Sequence, residues 1–388
     1  MAQSAAAPVK RKFGLFTLVN GFDMPFLAIL MLILAIGLIM LFSASYAYAL
    51  TNDGDSFFYI RKQLMFAVAG IIIMLLLSTV DYHIFHHLAI PIMIVSFILL
   101  VVVLMLPAST GDISRWIRIP GGFQFQPSEV AKFGLILLFA HLISINAKNM
   151  KSFLKGYLPM LMILVITCGL VFIEPHLSGT LLLLGIGLVL MYVGGCRSAY
   201  LLGTLGLGGA AAGYMIFGRG YEKDRILVWL DPLKEFASSA AGKDNAWQTV
   251  QSLYAIGSGG LMGVGLGNSR QKHMFLPEPQ NDFIFSVVCE ELGFIGAMLI
   301  IILFALLVWR GFTIGMKAPD KFGAMLSIGL TAQIGLQVLM NIAVVTNAIP
   351  NTGISLPFFS YGGTSLIMLL AQMGIVLSIS RHSGKKLN

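Results

Sequence analysis

The sequence predicts an all-α polytopic membrane protein with ten transmembrane helices, both termini cytoplasmic, and a large extracellular loop between helices 7 and 8. Three observations predict it. Of 388 residues, 57% are hydrophobic and only 11% are charged, with a mean hydropathy of +0.87, too little charge to cover a soluble core of this size. Apolar runs recur at the roughly 20 residues a helix needs to cross a ~30 Å hydrocarbon core. These runs are continuous rather than short and alternating, which argues for helices over a barrel.

In order, the spans fall at about 24–47, 63–80, 87–106, 127–146, 157–173, 178–195, 199–217, 283–309, 322–346 and 364–380. Residues 22–380 thus form one membrane domain between tails 1–21 and 381–388. The first run exceeds a signal-peptide core and lacks a clear small-residue cleavage site, so it reads as a retained helix. Orientation follows from Lys and Arg in the short loops. With Lys10, Arg11 and Lys12 inside, the inner loops and tails hold thirteen basic residues, against Arg61, Lys62, Arg115 and Arg118 outside. The long loop 218–282 adds seven, but long loops translocate largely regardless of charge. The net charge of +8 suits anchoring on anionic lipid. No basic face alternates with stacking aromatics, so nucleic acid is not an expected partner. Cys168, Cys196 and Cys289 suggest neither a disulfide framework nor a metal site.

Three outside loops carry the information: 107–126, 218–282 and the Pro/Gly-rich 347–363. The second contains amphipathic material from Gln248 to Tyr254, then six glycines within Gly257–Gly267. That run cannot hold a stable helix; it serves as turns or as backbone that approaches an anion. The third is apolar yet broken by Pro and Gly, so it is a re-entrant, cavity-lining segment buried in protein.

Asp282 is the residue to mutate first, because it stands where the long polar loop meets the eighth span. An acid there reaches both water and a lipid-borne substrate, or it simply caps the helix. Glu129 and Lys132 share a face at the start of the fourth span, after Pro127. They are a structural ion pair or a contact for an anionic headgroup. Glu290 and Glu291 sit deeper on the eighth span as proton relay, cation ligands or buried brace. At 1.5 Å per residue, Glu290 is roughly 12 Å below Asp282. Arg115 and Arg225 stand near Trp116 and Trp229 as interfacial anchors or as phosphate contacts. Gln248 and Gln251 share a helical face and read sugar hydroxyls or cap loop backbone.

Five ordered motifs then carry a resemblance over nearly the whole chain. They are Arg115-Trp116 with Gln126-Pro127-Ser128-Glu129-Val130-Ala131-Lys132; Gln248 to Gly260; Leu276-Pro277-Glu278 with Asp282-Phe283-Ile284-Phe285; Glu290-Glu291-Leu292-Gly293; and Leu356 to Ser365. Together they resemble the SEDS family, the FtsW/RodA/SpoVE group of cell-wall glycosyltransferases. Asn341 to Thr346 and Pro279-Gln280-Asn281 look more like the division and sporulation members. The family's Pro-Asp-Leu-Gly-Thr turn here reads Pro175-His176-Leu177-Ser178-Gly179-Thr180, so no catalytic role is carried onto it.

The resemblance implies peptidoglycan glycosyl transfer at the outer face of the bacterial cytoplasmic membrane, at the septum or in the spore wall. The substrate would be lipid II, the undecaprenyl-diphosphate-linked disaccharide pentapeptide. Asp282 would be the general base. Arg115, Glu129, Lys132, Arg225, Gln248, Gln251, Arg270, Lys272 and Ser360 would contact substrate. A divalent cation, magnesium or manganese, is implied by the family alone, since no metal-ligand cluster shows. The implied partners are a class B penicillin-binding protein (a transpeptidase) and other division-machinery membrane proteins. A lipid II flippase and a non-catalytic division scaffold are the competing readings. A flippase needs a polar path through the inner half as well, and the singular polar residues are expected in the outer half.

Overall fold

Apolar runs of membrane length become helices wherever polar or Pro/Gly breaks separate them. The computed structural model describes residues 21–106, 115–119, 123–174, 176–213, 223–238 and 240–383. Helix α1 (Met24–Asp53) starts sharply because the Asp23 side chain accepts from the Phe26 N–H at 3.1 Å, with Pro25 in its first turn. It is followed by α2 (Phe58–Thr79), α3 (His83–Met105), α4 (Pro127–Ile145), α5 (Leu158–Ile173), α6 (Leu177–Gly194) and α7 (Ser198–Gly213). The chain closes with α11 (Ile284–Met316), α12 (Lys321–Val345) and α13 (Gly363–His382). Nine helices among the described residues are long and apolar enough to cross a membrane. Helix α7 has 16 described residues, and the rest of the expected seventh span lies outside the described ones. So do most of the expected tails.

The loops are more structured than their polarity suggested. Within 107–126, the alternation Ile117-Arg118-Ile119 and Phe123-Gln124-Phe125 forms an antiparallel hairpin, β1 (Ile117–Ile119) with β2 (Phe123–Phe125). Within 218–282 lie α8 (Lys223–Leu230), α9 (Pro232–Ser238) and α10 (Ala240–Gly259). Helix α10 packs on α11 through Ser252, whose hydroxyl meets Ser286 Oγ at 2.7 Å and donates to the Val345 carbonyl at 2.8 Å.

Helix α11 is not one rod. Gly293 has φ 67° and breaks it. Residues Gly260 to Gly265 fill the break: the N–H groups of Val264 and Gly265 donate to the carbonyls of Glu290 and Glu291, each at 3.0 Å. In return, the Phe294 N–H donates to the Gly260 carbonyl at 2.9 Å. The glycine run is therefore a stitch that satisfies a broken helix. Two of its members are forced: a Cβ on Gly263 would stand 2.1 Å from the Glu291 carbonyl oxygen, and one on Gly293 2.2 Å from the Gly263 nitrogen. Before the break α11 is almost wholly buried, whereas beyond it Phe294, Ile295, Leu299 and Ile302 are exposed. The lipid-facing part of this span thus begins near Phe294.

Helices α4, α12 and α13 are the most enclosed, and α2 and α3 present much of their apolar surface outward. Consecutive spans alternate in direction, so the starts of α2, α4, α6, α11 and α13 share one end with the 347–363 segment. That segment is irregular and buried at Leu356, Phe358 and Phe359, as expected of a cavity-lining stretch. Charges at the opposite end close on each other. Arg310 pairs with Asp23 at 2.8 Å, and His83 bridges Asp81 at 2.6 Å and Asp320 at 3.0 Å. Polar residues are thus not confined to one half, contrary to expectation, but those at this end are braces.

Candidate active site

The shared helix starts enclose a cavity of about 690 Å³. Its walls come from the first turns of α2, α4, α6 and α13, the β1–β2 hairpin, and residues 278–282 and 353–355. Among its lining are three cations (Lys62, Arg115 and Lys132) and three carboxylates (Glu129, Glu278 and Asp282).

Asp282 is not a helix cap. Phe283 occupies the cap position of α11, and no side chain caps that helix. Among the described residues the Asp282 carboxylate has no hydrogen-bond partner, and it lines the cavity. Its backbone is pinned instead: Asn341 Nδ2 on α12 donates to the carbonyls of Asp282 and Ile354, both at 2.7 Å. Gly353 has φ 66°, and a Cβ there would stand 3.1 Å from Asp282 Oδ2, so the backbone approaches the acid closely. Burial and the nearby Glu278 raise the Asp282 pKa to about 6, while Arg115 opposes the shift.

Glu129 and Lys132 meet at 2.6 Å, both buried on the cavity wall, so the expected ion pair exists and also faces the site. Arg115 lines the cavity while its Nε donates to the Glu174 carbonyl at 3.2 Å. The Glu174 carboxyl is buried with neither oxygen partnered among the described residues. Burial raises its pKa to about 8 despite Arg115.

Several expected substrate contacts stand elsewhere. Lys272 is fully buried, paired to Glu291 at 2.7 Å and donating to Ser43 Oγ at 3.2 Å. Glu290 accepts from the Arg270 N–H at 2.8 Å and from Ser269 Oγ. Lys272 thus binds protein rather than substrate, and Glu290 and Glu291 are braces that hold residues 269–272 on α11. The Arg270 side chain lies outside the cavity lining. Ser360 is consumed by backbone: its hydroxyl donates to the Asn281 carbonyl at 2.8 Å and accepts from the Leu356 N–H at 2.7 Å. Gln248 accepts from Asn351 Nδ2 at 3.2 Å, and Arg225 donates to the Asn351 carbonyl at 3.2 Å. Neither lines the cavity, nor does Gln251.

Sequence reasoning gave no site role to Lys62, Glu278 or His176, which all line the cavity. Lys62 was only a loop charge. Its signal was Phe58 four residues earlier, over whose ring its Nζ sits at 3.8 Å. Among the described residues no group of three or more His, Cys, Asp or Glu could hold a metal. Among the described residues the donor set does not fit a protein-built metal centre.

The profile of the cell cycle protein family that unites FtsW, RodA and SpoVE matches residues 23–385. The chain belongs to this family. Stage V sporulation protein E of Bacillus subtilis (strain 168) is 41% identical, over 93% of this chain and 97% of that protein. A probable peptidoglycan glycosyltransferase FtsW of Geobacter sp. (strain M18) is 36% identical over 93% and 97%. A solved structure described as a peptidoglycan synthase complex coordinating polymerization and crosslinking matches 93% of this chain and 98% of its own, with TM-score 0.77 and 27% identity. The rod shape determining protein RodA of Thermus thermophilus matches with TM-score 0.67 and 26% identity, over 94% and 98%. This FtsW/RodA/SpoVE family member is a multi-pass membrane protein.

Proposed function

We propose that this chain is a peptidoglycan glycosyltransferase polymerising lipid II at the outer face of the cytoplasmic membrane, with Asp282 as general base. The observation that carries this reading is the Asp282 carboxylate, free of any capping bond and open to a cavity that also holds Lys62, Arg115 and Lys132. The acceptor's GlcNAc 4-hydroxyl attacks the donor's anomeric carbon, and its proton passes to Asp282. The new C–O bond forms as the bond from that carbon to the diphosphate breaks. Undecaprenyl diphosphate leaves with the bonding pair, and inversion gives a β-1,4 glycan. With a pKa of about 6, Asp282 is mostly ionised near neutrality yet basic enough to share the proton, where a general base works best. The cavity cations stabilise the leaving diphosphate.

Glycan strands need crosslinking, and one matching structure is a synthase complex in which polymerization and crosslinking are coordinated. That supports a class B penicillin-binding protein as the partner, and the likeness to a stage V sporulation protein and to FtsW supports spore-wall or septal synthesis as the setting. The deciding experiment follows lipid II polymerisation on a gel, using purified protein, its transpeptidase partner and a divalent cation. Wild type should make polymer and Asp282→Asn should not, while still binding the partner. Equal polymer from both would move the base elsewhere, and none from either would return the flippase and scaffold readings.

A further inference from the structure

One cavity wall is made of helix starts that no side chain caps. Gln126 and His176 hold the cap positions of α4 and α6 without capping them. In α6 the Thr180 N–H is satisfied by the His176 carbonyl at 3.1 Å. The N–H groups of Leu177, Ser178 and Gly179 precede it and have no partner within the helix, so among the described residues the positive end of this 18-residue helix carries no side-chain cap. Ser178 and Gly179 line the cavity, as do Arg115 and Lys132.

His176 stands at this opening. Its ring is seated on Gly179, where a Cβ would lie 2.6 Å from Nδ1, and Ser128 Oγ stands 3.5 Å from the same nitrogen. With Nδ1 turned to Ser128, Nε2 is the nitrogen left for the cavity, and in the tautomer that carries its proton there the ring donates to a ligand. Burial first, then the charges of Lys132 and Arg115, push the His176 pKa down to about 3. The imidazole is therefore neutral and adds no charge to the three cavity cations.

We propose that His176, with the open start of α6, joins Arg115 and Lys132 in a subsite for the diphosphate of the lipid-linked donor. This rests on the glycosyltransferase reading and assigns the turn after α5 a ligand. Lys132 is paired with Glu129 at 2.6 Å, which weakens its hold on a diphosphate. Neutral N–H donors add contacts without adding positive charge.

The test uses the full chain in detergent with its transpeptidase partner. It compares wild type with His176→Phe, which keeps a ring, and His176→Gln, which keeps a donor. One arm measures KM and kcat for lipid II. The other measures the Tm rise that farnesyl diphosphate or farnesyl monophosphate gives each protein, a readout needing no turnover. His176→Phe should raise KM roughly tenfold, with kcat changed less, and should shrink the diphosphate's Tm rise. His176→Gln should keep most of both. An unchanged Phe variant, or a Gln variant as impaired as Phe, overturns the subsite. Wild type that makes no polymer, yet shows a His176-dependent diphosphate response, would sink the glycosyltransferase reading alone.

Discussion

Asp282 and the pair Glu290–Glu291 lie on the same stretch of chain, and they live opposite lives. Glu291 is fully buried and saturated by Lys272, Ser43 and the Ser269 N–H. Asp282 has its backbone held by Asn341 and its carboxylate held by nothing among the described residues. A carboxylate whose acceptor sites are filled braces the fold. One whose backbone is fixed and whose oxygens are open is ready to take a proton. The count of acids in a helix therefore says little about chemistry until their partners are known.

The sharpest way to break the contrast is Asp282→Asn. It should lower the polymerisation rate about 100- to 10,000-fold, the range of a positioned general base, and leave Tm unchanged because no bond is lost. Glu291→Gln should do the reverse. Removing one partner of a buried ion pair destabilises by about 3–5 kcal/mol, visible as a lower Tm of the purified protein, with activity falling only as folding does. The pH profile should sharpen the comparison further. With Asp282 near 6, the protonated acid cannot accept, so the rate should fall about tenfold per unit as pH drops below that value. In Asp282→Asn that inflection should vanish. Smallest is Ser360→Ala, which removes two backbone hydrogen bonds and should lower stability by about 1–2 kcal/mol. A KM for lipid II that rises while Tm holds would return Ser360 to substrate binding.

Much of this was legible in the sequence because hydropathy reports what faces lipid. Nine spans and the cavity-lining character of 347–363 follow from apolar runs and from Pro and Gly placement. Asp282 was legible as an acid at a boundary. Its freedom from capping was not, since cap geometry depends on where the first helical turn closes, and α11 closes it one residue later. Lys272 was misplaced because its partner Glu291 lies nineteen residues away across a loop that folds back onto a broken helix. Lys62 and His176 were missed for a related reason. They reach the cavity only because α2 and α6 begin at the same end, a meeting that periodicity within either helix does not encode.

The stitch at Gly293 has a consequence for anyone cutting or extending this chain. Residues 260–265 hold the carbonyls of Glu290 and Glu291 and the N–H of Phe294, so they are in effect part of the helix they interrupt. A reporter inserted there would unzip a membrane span, whereas the exposed side chains of α9, none of them buried, offer a seam where a graft leaves that span intact.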